Sequence, residues 1–577
     1  MRPSVNAFVF DLFRRHRHSN TFGSIAFANH RSIDELNPSR TVIFDLLRRS
    51  PHPLTGSADS DAHFNFNDDG SYKSMGFQSY LPAMDGGRGV EEMMVGRRRV
   101  GEQLPAVGEG GGPGAMAPQA KVEHQQPASL SLVKYLPGFD GELPFNLETG
   151  YIGIGDTDDV QLFYYFIESE RDPVTDPLVL WLTGGPGCSG FSALVYEIGP
   201  LLFDVESWTG QLPSLRVNKY SWTKVANIIF IDQPVGTGFS YARTSAGYNT
   251  SDTKSVAQVY SFLRKWLVYH PQFQTNPLYI GGDTYSGITV PLLVQTILDG
   301  LDEGLEPLMG LQGYLLGNPV TDSFIDDNSR IPYVHRVNLI SDELYKDAKL
   351  YCHGDYVNVQ FNNSLCVTAL LAIKHCLLQI NLVQILEPQC AFSSPRRMEI
   401  EWDLRVREAE TIEYLDSLNK LPKLTCRSFS YMLSDKWAND KAVQKALNVR
   451  EGTMNYTSWM RCAKTLPFYT EDVSSTIDYH KNFTKTGLRA LVYSGDHDVT
   501  VPYIGTLEWI NSLGVPIFDQ WRPWFVDGQI AGYTQKYMND NYRLAYATLK
   551  GAGYTAPEYK RKEALNLVNR WFAYYPI

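Results

Sequence analysis

The sequence contains no run approaching the roughly 18 uninterrupted apolar residues of a membrane-spanning helix, so no membrane span is expected. It also lacks basic excess. The net charge is −11, and residues 1–128 hold 14 Lys+Arg against 14 Asp+Glu, so the whole acidic surplus falls on the remainder. A main body of that sign excludes the electropositive footprint that nucleic-acid binding requires. Cysteine is scarce: seven residues in 577, none before Cys188, and no two spaced C-x-x-C. That spacing excludes a zinc knuckle or a dithiol redox loop, and no metal site is expected. The front end lacks a secretory signal. Ala7-Phe8-Val9-Phe10 is broken at Asp11 and followed by Arg14, Arg15, His16 and Arg17, where an unbroken apolar stretch would be needed.

What is present is ordinary globular composition, 43% hydrophobic and 20% charged, with 13% aromatic residues. This excludes wholesale disorder. The length allows two to four domains or one α/β domain with insertions. Residues 1–128 read poorly as a domain. Val9-Phe-Asp-Leu-Phe-Arg-Arg15 recurs as Ile43-Phe-Asp-Leu-Leu-Arg-Arg49, but two copies make no solenoid. Between Gly86 and Pro118 the composition turns to linker-like Gly, Met, Arg and Pro. This region is expected to be an atypical or disordered N-terminal extension.

From residue 129 onward, β-branched and aromatic runs alternate with longer helical stretches, which predicts a mostly parallel sheet covered by helices. Strands are expected at Gln161–Ile167, Leu178–Leu182, Asn227–Ile231, Leu278–Gly281, Gly313–Leu316, Ala490–Tyr493 and Leu544–Leu549. Several run into Gly-, Asp- or Pro-rich turns, and ligand sites of open α/β sheets gather at such strand ends. Residues 321–435 interrupt the rhythm with four cysteines between Cys352 and Cys390, helical runs such as Val367–Leu378, and a charged stretch at 396–410. They read as a cap inserted into the sheet domain.

Leu278-Tyr-Ile-Gly-Gly-Asp-Thr-Tyr-Ser-Gly287 followed by an apolar run reads as strand, tight turn and helix. That is the geometry of a nucleophile elbow, and Thr284 takes its apex. A carboxylate turn at Asp496–Asp498 and a last strand ending near Tyr554 complete the nucleophile, acid, base order of α/β hydrolases. His497 lies between the two aspartates, but neighbouring side chains on a turn diverge, so it is a poor substitute base.

Five motifs occur in order: Trp181-Leu-Thr-Gly-Gly-Pro-Gly-Cys-Ser189, Phe230-Ile-Asp-Gln-Pro-Val-Gly-Thr-Gly-Phe-Ser-Tyr241, Gly282-Asp-Thr-Tyr-Ser-Gly287, Ser494-Gly-Asp-His-Asp498 and Gly551-Ala-Gly-Tyr-Thr-Ala-Pro557. With them the chain, from Ser129 to Ile577, resembles the serine carboxypeptidase-like family, and more closely its plant branch, which includes glucose-ester-dependent acyltransferases. The resemblance implies an α/β-hydrolase fold with a helical, disulfide-bearing cap, acyl-transfer or hydrolytic chemistry, and no cofactor. The family's Ser nucleophile, orienting Asp and His base map to Thr284, Asp498 and Tyr554. Oxyanion donors map to the backbone N–H groups of Gly185 and Tyr285, and substrate-binding positions to Thr183, Gly184, Glu197 and Asp283. Thr183 and Asp283 look like the acyltransferase branch, since peptidase members carry Asn and Glu there. Substrates are then a small-molecule acyl donor and acceptor, or a peptide carboxyl terminus.

Carrying over the family's disulfides gives Cys188–Cys462, Cys352–Cys366 and Cys390–Cys426, with Cys376 free. The alternative is that all are reduced and buried. Sequons at Asn249, Asn362, Asn455 and Asn482 fit glycosylation, and the resemblance implies a secreted or vacuolar location despite the missing signal.

Thr keeps a hydroxyl at the apex, but a phenol with a reference pKa near 10 cannot replace an imidazole near 6.5 as general base. Three readings follow: a strongly impaired enzyme, a non-catalytic protein that binds in the retained pocket, or the product of a decayed or mispredicted gene.

Overall fold

The computed structural model describes residues 131–360, 362–389, 427–451, 458–463, 466 and 468–577. The N-terminal repeat, the Gly-rich stretch, the charged run at 396–410, Cys390, Cys426 and Asn455 lie outside the described residues.

The sheet is built from β1 (Ser131–Val133), β2 (Leu147–Ile154), β3 (Val160–Ile167), β4 (Leu178–Leu182), β5 (Asn227–Ile231), β6 (Leu278–Asp283), β7 (Leu311–Gly317), β8 (Arg489–Gly495), β9 (Ile517–Val526), β10 (Gln529–Asn539) and β11 (Tyr542–Leu549). The order across it is β1-β2-β3-β5-β4-β6-β7-β8-β11-β10-β9. The run β5-β4-β6-β7-β8-β11 is parallel throughout. Antiparallel strands flank it on both sides. All seven expected strands are present within a few residues.

The central strands are apolar on both faces because both faces are covered. Phe163, Tyr165, Val179 and Trp181 point into one core, while Leu162, Tyr164, Leu180 and Leu182 point into the other. Strict alternation along each strand thus fills two cores from one sheet. Helix α1 (Asp252–Tyr269) starts where the Ser251 hydroxyl accepts the Lys254 N–H, and buries Val256, Val259, Phe262, Leu263 and Trp266 at helical spacing. Helix α2 (Ser286–Asp302) is buried over most of its first three turns, and its Pro291 is tolerated near the N-terminal end. Both helices pack on the same core.

After β7 the chain leaves the sheet for α3 (Ser323–Arg336), α4 (Asp342–Cys352) and α5 (Ser364–Leu377), which enclose a small core of their own around Tyr333, Ala348 and Ile373. Cys352 and Cys366 form a disulfide that joins the end of α4 to the start of α5. Helix α3 is fastened to the sheet domain where the Tyr333 hydroxyl donates to the Asp496 carbonyl at 2.7 Å and Arg330 Nε donates to the Thr500 carbonyl at 3.0 Å. The second described disulfide, Cys188–Cys462, spans 274 residues, and Cys376 is free and exposed.

At the far edge β9 and β10 form a hairpin about Asp527-Gly528, both at positive φ (51° and 73°), as a two-residue turn of this hand requires. Its outer face exposes Phe518, Trp521, Phe525 and Tyr533. None of the described helices is long and apolar enough to cross a membrane.

The long-range bridge yields the first prediction. Replacing Cys188 and Cys462 together by Ala should cost about 2–5 kcal/mol, measured as a lower denaturant midpoint with a steeper slope, because the denatured chain loses its long crosslink. The same replacement at the short Cys352–Cys366 loop, which spans 14 residues, should cost less.

Candidate active site

The site forms where the adjacent parallel strands β4, β6, β7, β8 and β11 end. β6 passes directly into Thr284, whose φ of 56° places a β-branched residue in the left-handed region. The strained turn is held by its backbone: Thr284 N–H donates to the Gly317 carbonyl (2.9 Å), and the Thr284 carbonyl accepts from Val320 (2.8 Å) and Gly287 (3.1 Å). Small residues around it are obligatory. A Cβ at Gly287 would lie 2.2 Å from the Val320 carbonyl oxygen. Thr284 therefore stands at the apex of the elbow, 5% exposed, with α2 running away behind it.

Facing it is the loop Thr183–Ser189, which follows β4. Gly184 is the closest neighbour: a Cβ there would fall 1.5 Å from Thr284 Oγ1. The loop is tied down by Ser189, whose hydroxyl donates to Asp232 Oδ1 at 2.5 Å, and by the Gly190 N–H on the same oxygen at 2.9 Å. Asp232 also takes the Phe239 N–H at 2.8 Å, so the end of β5 clamps two loops with one buried carboxyl. Burial pushes that carboxyl up to about 7. Among the described residues neither the Gly185 nor the Tyr285 N–H donates to a protein acceptor, which is the condition an oxyanion pocket requires.

Asp498 is fully buried after β8. Its oxygens accept from Thr500 N–H (2.7 Å), Val501 N–H (3.0 Å) and Asn318 Nδ2 (3.0 Å). Burial raises its carboxyl to about 7 against the pull of these donors. Asn318 had no assigned role from sequence, yet it also accepts the Gly495 N–H at 3.0 Å and so joins the ends of β7 and β8. Tyr554 comes from the loop after β11, held by its N–H on the Val383 carbonyl (2.8 Å). Its phenol is pushed above its ordinary range, chiefly by burial and then by the Asp498 charge, while a hydrogen bond with the Thr284 hydroxyl pulls the other way. The structure thus brings Thr284 and Tyr554 together. Among the described residues no hydrogen bond joins Tyr554 to Asp498. His497 is turned aside, its Nδ1 on its neighbour Asp496 at 2.5 Å.

Beside the Gly-rich loop lies a pair of buried acids. Glu197 ends a wide helical turn (Ala193–Glu197) that closes with Ile198 N–H on the Ala193 carbonyl, the i→i−5 pattern frequent at functional sites. Its carboxyl hydrogen-bonds Asp283, which in turn accepts the Gly184 N–H at 3.3 Å. Burial, then the Asp283 charge, drives Glu197 well above the usual carboxylate range, and burial lifts Asp283 to about 6. The Arg461 charge pulls both carboxyls the other way. Glu197 Oε2, Thr183 Oγ1 and the Tyr493 hydroxyl are buried without a protein partner among the described residues. Unpaired groups of this kind await water or a ligand. Thr183, Gly184, Glu197 and Asp283 are therefore gathered at one corner, next to the Thr284 hydroxyl. No group of His, Cys, Asp or Glu with metal-binding geometry occurs among the described residues.

Of the sequons, Asn249, Asn362 and Asn482 are exposed. Sequence reasoning missed Asp232, Asp252, Asn318 and Arg461. Asp232 and Asn318 carried the available signal, since each directly follows a buried strand and precedes a turn residue.

The family model described as serine carboxypeptidase matches residues 137–574. Serine carboxypeptidase-like 7 of Arabidopsis thaliana is 46% identical over 78% of this chain and 95% of its own length. Serine carboxypeptidase-like 16 of the same plant is 47% identical over 77% and 94%. Among solved structures, Kex1(delta)p, a prohormone-processing carboxypeptidase from Saccharomyces cerevisiae, superposes with a TM-score of 0.58 at 17% identity, covering 74% of this chain and 91% of that one. That likeness supports the α/β-hydrolase fold.

The acid pair generates a pH prediction. An unfolded Asp titrates near 3.9, whereas folded Asp283 titrates at about 6. The folded state therefore holds the extra proton, and the resulting stability is complete below pH 4 and lost as pH rises through 6. The melting temperature should be higher at pH 5 than at pH 8. Glu197→Gln, which keeps a hydrogen bond but removes one acid of raised pKa, should flatten that slope, read as a smaller difference in melting temperature between the two pH values.

Proposed function

Because the chain belongs to the serine carboxypeptidase family, we propose that its pocket recognises acyl esters in the manner of an acyl-transfer enzyme but is strongly impaired in catalysis. The observation that carries this reading is that a threonine stands at the apex of the elbow, at φ 56°, and a tyrosine in the loop after β11, at the positions where the family carries its nucleophile and base.

Attack on an ester needs the hydroxyl proton to leave as the bond forms. A phenol of reference pKa near 10 is less than about one part in 10³ deprotonated at pH 7. Burial pushes Tyr554 higher still. The phenolate that could accept the Thr284 proton is therefore scarce. Nor is there an imidazole for Asp498 to orient, and its described partners are Asn318, Thr500 and Val501. Loss of the base in a triad costs on the order of 10⁶ in turnover. The pocket apart from those two side chains supports binding: free oxyanion donors at Gly185 and Tyr285, and unpaired buried polar atoms on Thr183 and Glu197.

Thr183 and Asp283 stand where peptidase members carry Asn and Glu, which favours an acylated sugar or similar ester over a peptide carboxyl terminus. Disulfides, exposed sequons at Asn249, Asn362 and Asn482, and buried acids that stabilise the fold at low pH together support a glycosylated protein of an oxidising, mildly acidic compartment, either secreted or vacuolar.

The test uses the full chain and a fluorophosphonate probe. The unmodified protein should remain unlabelled, while the double variant Thr284→Ser, Tyr554→His should label stoichiometrically. Its esterase rate should exceed that of either single variant by at least about a hundredfold, because triad members act as a unit. Stoichiometric labelling of the unmodified chain at Thr284 would overturn the reading. An acylated glucose should bind the unmodified chain by calorimetry and fail to bind Gly184→Ala, whose added methyl would occupy the space of Thr284 Oγ1.

A further inference from the structure

Tyr285 enters the site through its backbone N–H, but its side chain runs the other way. The hydroxyl donates to Asp252 Oδ1 at 2.7 Å. Asp252 is fully buried at the first position of α1, where the helix N-terminus favours a negative charge. The same Oδ1 accepts the Tyr469 hydroxyl at 2.6 Å, and Oδ2 accepts the Val473 N–H at 3.0 Å. Nothing in the chemistry proposed above uses this carboxylate.

Tyr469 belongs to a stretch of chain that also grips the other oxyanion loop. Tyr469 pairs with Thr250 just ahead of α1. A few residues earlier, Cys462 is bonded to Cys188, Ala463 N–H donates to the Gly187 carbonyl at 2.9 Å, and Ser189 N–H donates to the Arg461 carbonyl at 2.8 Å. Arg461, Cys462 and Ala463 are thus fastened to the loop carrying the Gly185 donor, and Tyr469 reaches, through Asp252, the residue carrying the Tyr285 donor.

We infer that Asp252 is a positioning residue for the oxyanion pocket: by holding the Tyr285 and Tyr469 hydroxyls on one oxygen, it fixes the Tyr285 N–H relative to the Gly185 N–H. The inference rests on the acyl-recognition reading above. Two donors stabilise a developing oxyanion only when each lies about 2.7–3.1 Å from it, so a small rotation of the Tyr285 peptide forfeits much of the effect. Tyr285 follows a residue already at positive φ and has no side-chain cap of its own at the start of α2. The hydrogen bond to a carboxylate, stronger than one between neutral groups, supplies the missing restraint.

The experiment introduces Tyr285→Phe and Tyr469→Phe, separately, into the full-length Thr284→Ser, Tyr554→His background. Tyr285→Phe should lower kcat for an activated ester about tenfold with KM unchanged, since oxyanion donors act on the transition state. Tyr469→Phe should do the same to a smaller extent. Tyr537→Phe, which removes a comparable hydroxyl bond to Asn511 remote from the pocket, should leave kcat alone. An unchanged kcat for Tyr285→Phe, or a fall in kcat accompanied by equal changes in KM and melting temperature, overturns the inference. If the double-variant background is inactive, the proposed function fails and this inference is decided separately by hydrogen exchange on the unmodified chain. There, Tyr285→Phe should speed deuterium uptake at the amides of Thr284, Gly287 and Ile288 while β8 is unaffected, and equal uptake overturns it.

Discussion

The left-handed turn at Thr284 is the constraint from which the rest of the site follows. A side chain can stand at the end of β6, clear of the sheet and in front of a helix, only if the chain reverses within one residue. Here that reversal is made by a β-branched residue at φ 56°, a conformation its own sterics disfavour. It persists because β7 supplies a carbonyl to its N–H, while Gly287 of the following turn and Val320 after β7 donate to its carbonyl. The glycines at 184, 282 and 287 leave the space. These are backbone and glycine devices, indifferent to whether the apex is Ser or Thr. The backbone geometry of the elbow is therefore kept with threonine at its apex.

The same separation runs through the other site groups. Asp498, Glu197 and Asp283 are fixed by N–H groups, by Asn318 or by each other. None of them depends on the identity of residue 554. Among the described residues, none of their hydrogen bonds is made to the side chain at 554.

Much of this was legible in the sequence for a physical reason. Parallel strands buried on both faces must be continuous apolar runs, so Leu178–Leu182 and Asn227–Ile231 declare themselves. The turn glycines declare the elbow, and the five ordered motifs locate the site residues. The hairpin of β9 and β10 was less visible. Ile517–Val526 mixes Asp, Gln, Trp and Arg with three shifts of register, so neither strict alternation nor an apolar run marks it, although Asp527-Gly528 is a strong turn signal. Contacts between segments far apart in the chain, such as Asp252 with Tyr469 or Asn318 with Asp498, have no local signature at all. A buried aspartate looks the same in one dimension whether it caps a helix or braces a pocket.

The irregular hairpin also has a bearing on how the molecule behaves in a crowded solution. β9 forms the outermost edge of the sheet and carries exposed Phe518, Trp521 and Phe525, the combination that invites one sheet to extend into another. Its bulges about Asp519 and the proline at 523 spoil the ladder that an incoming strand would need. The same departures from regularity that hide this strand from sequence patterning thus serve as its protection against fibrous self-association.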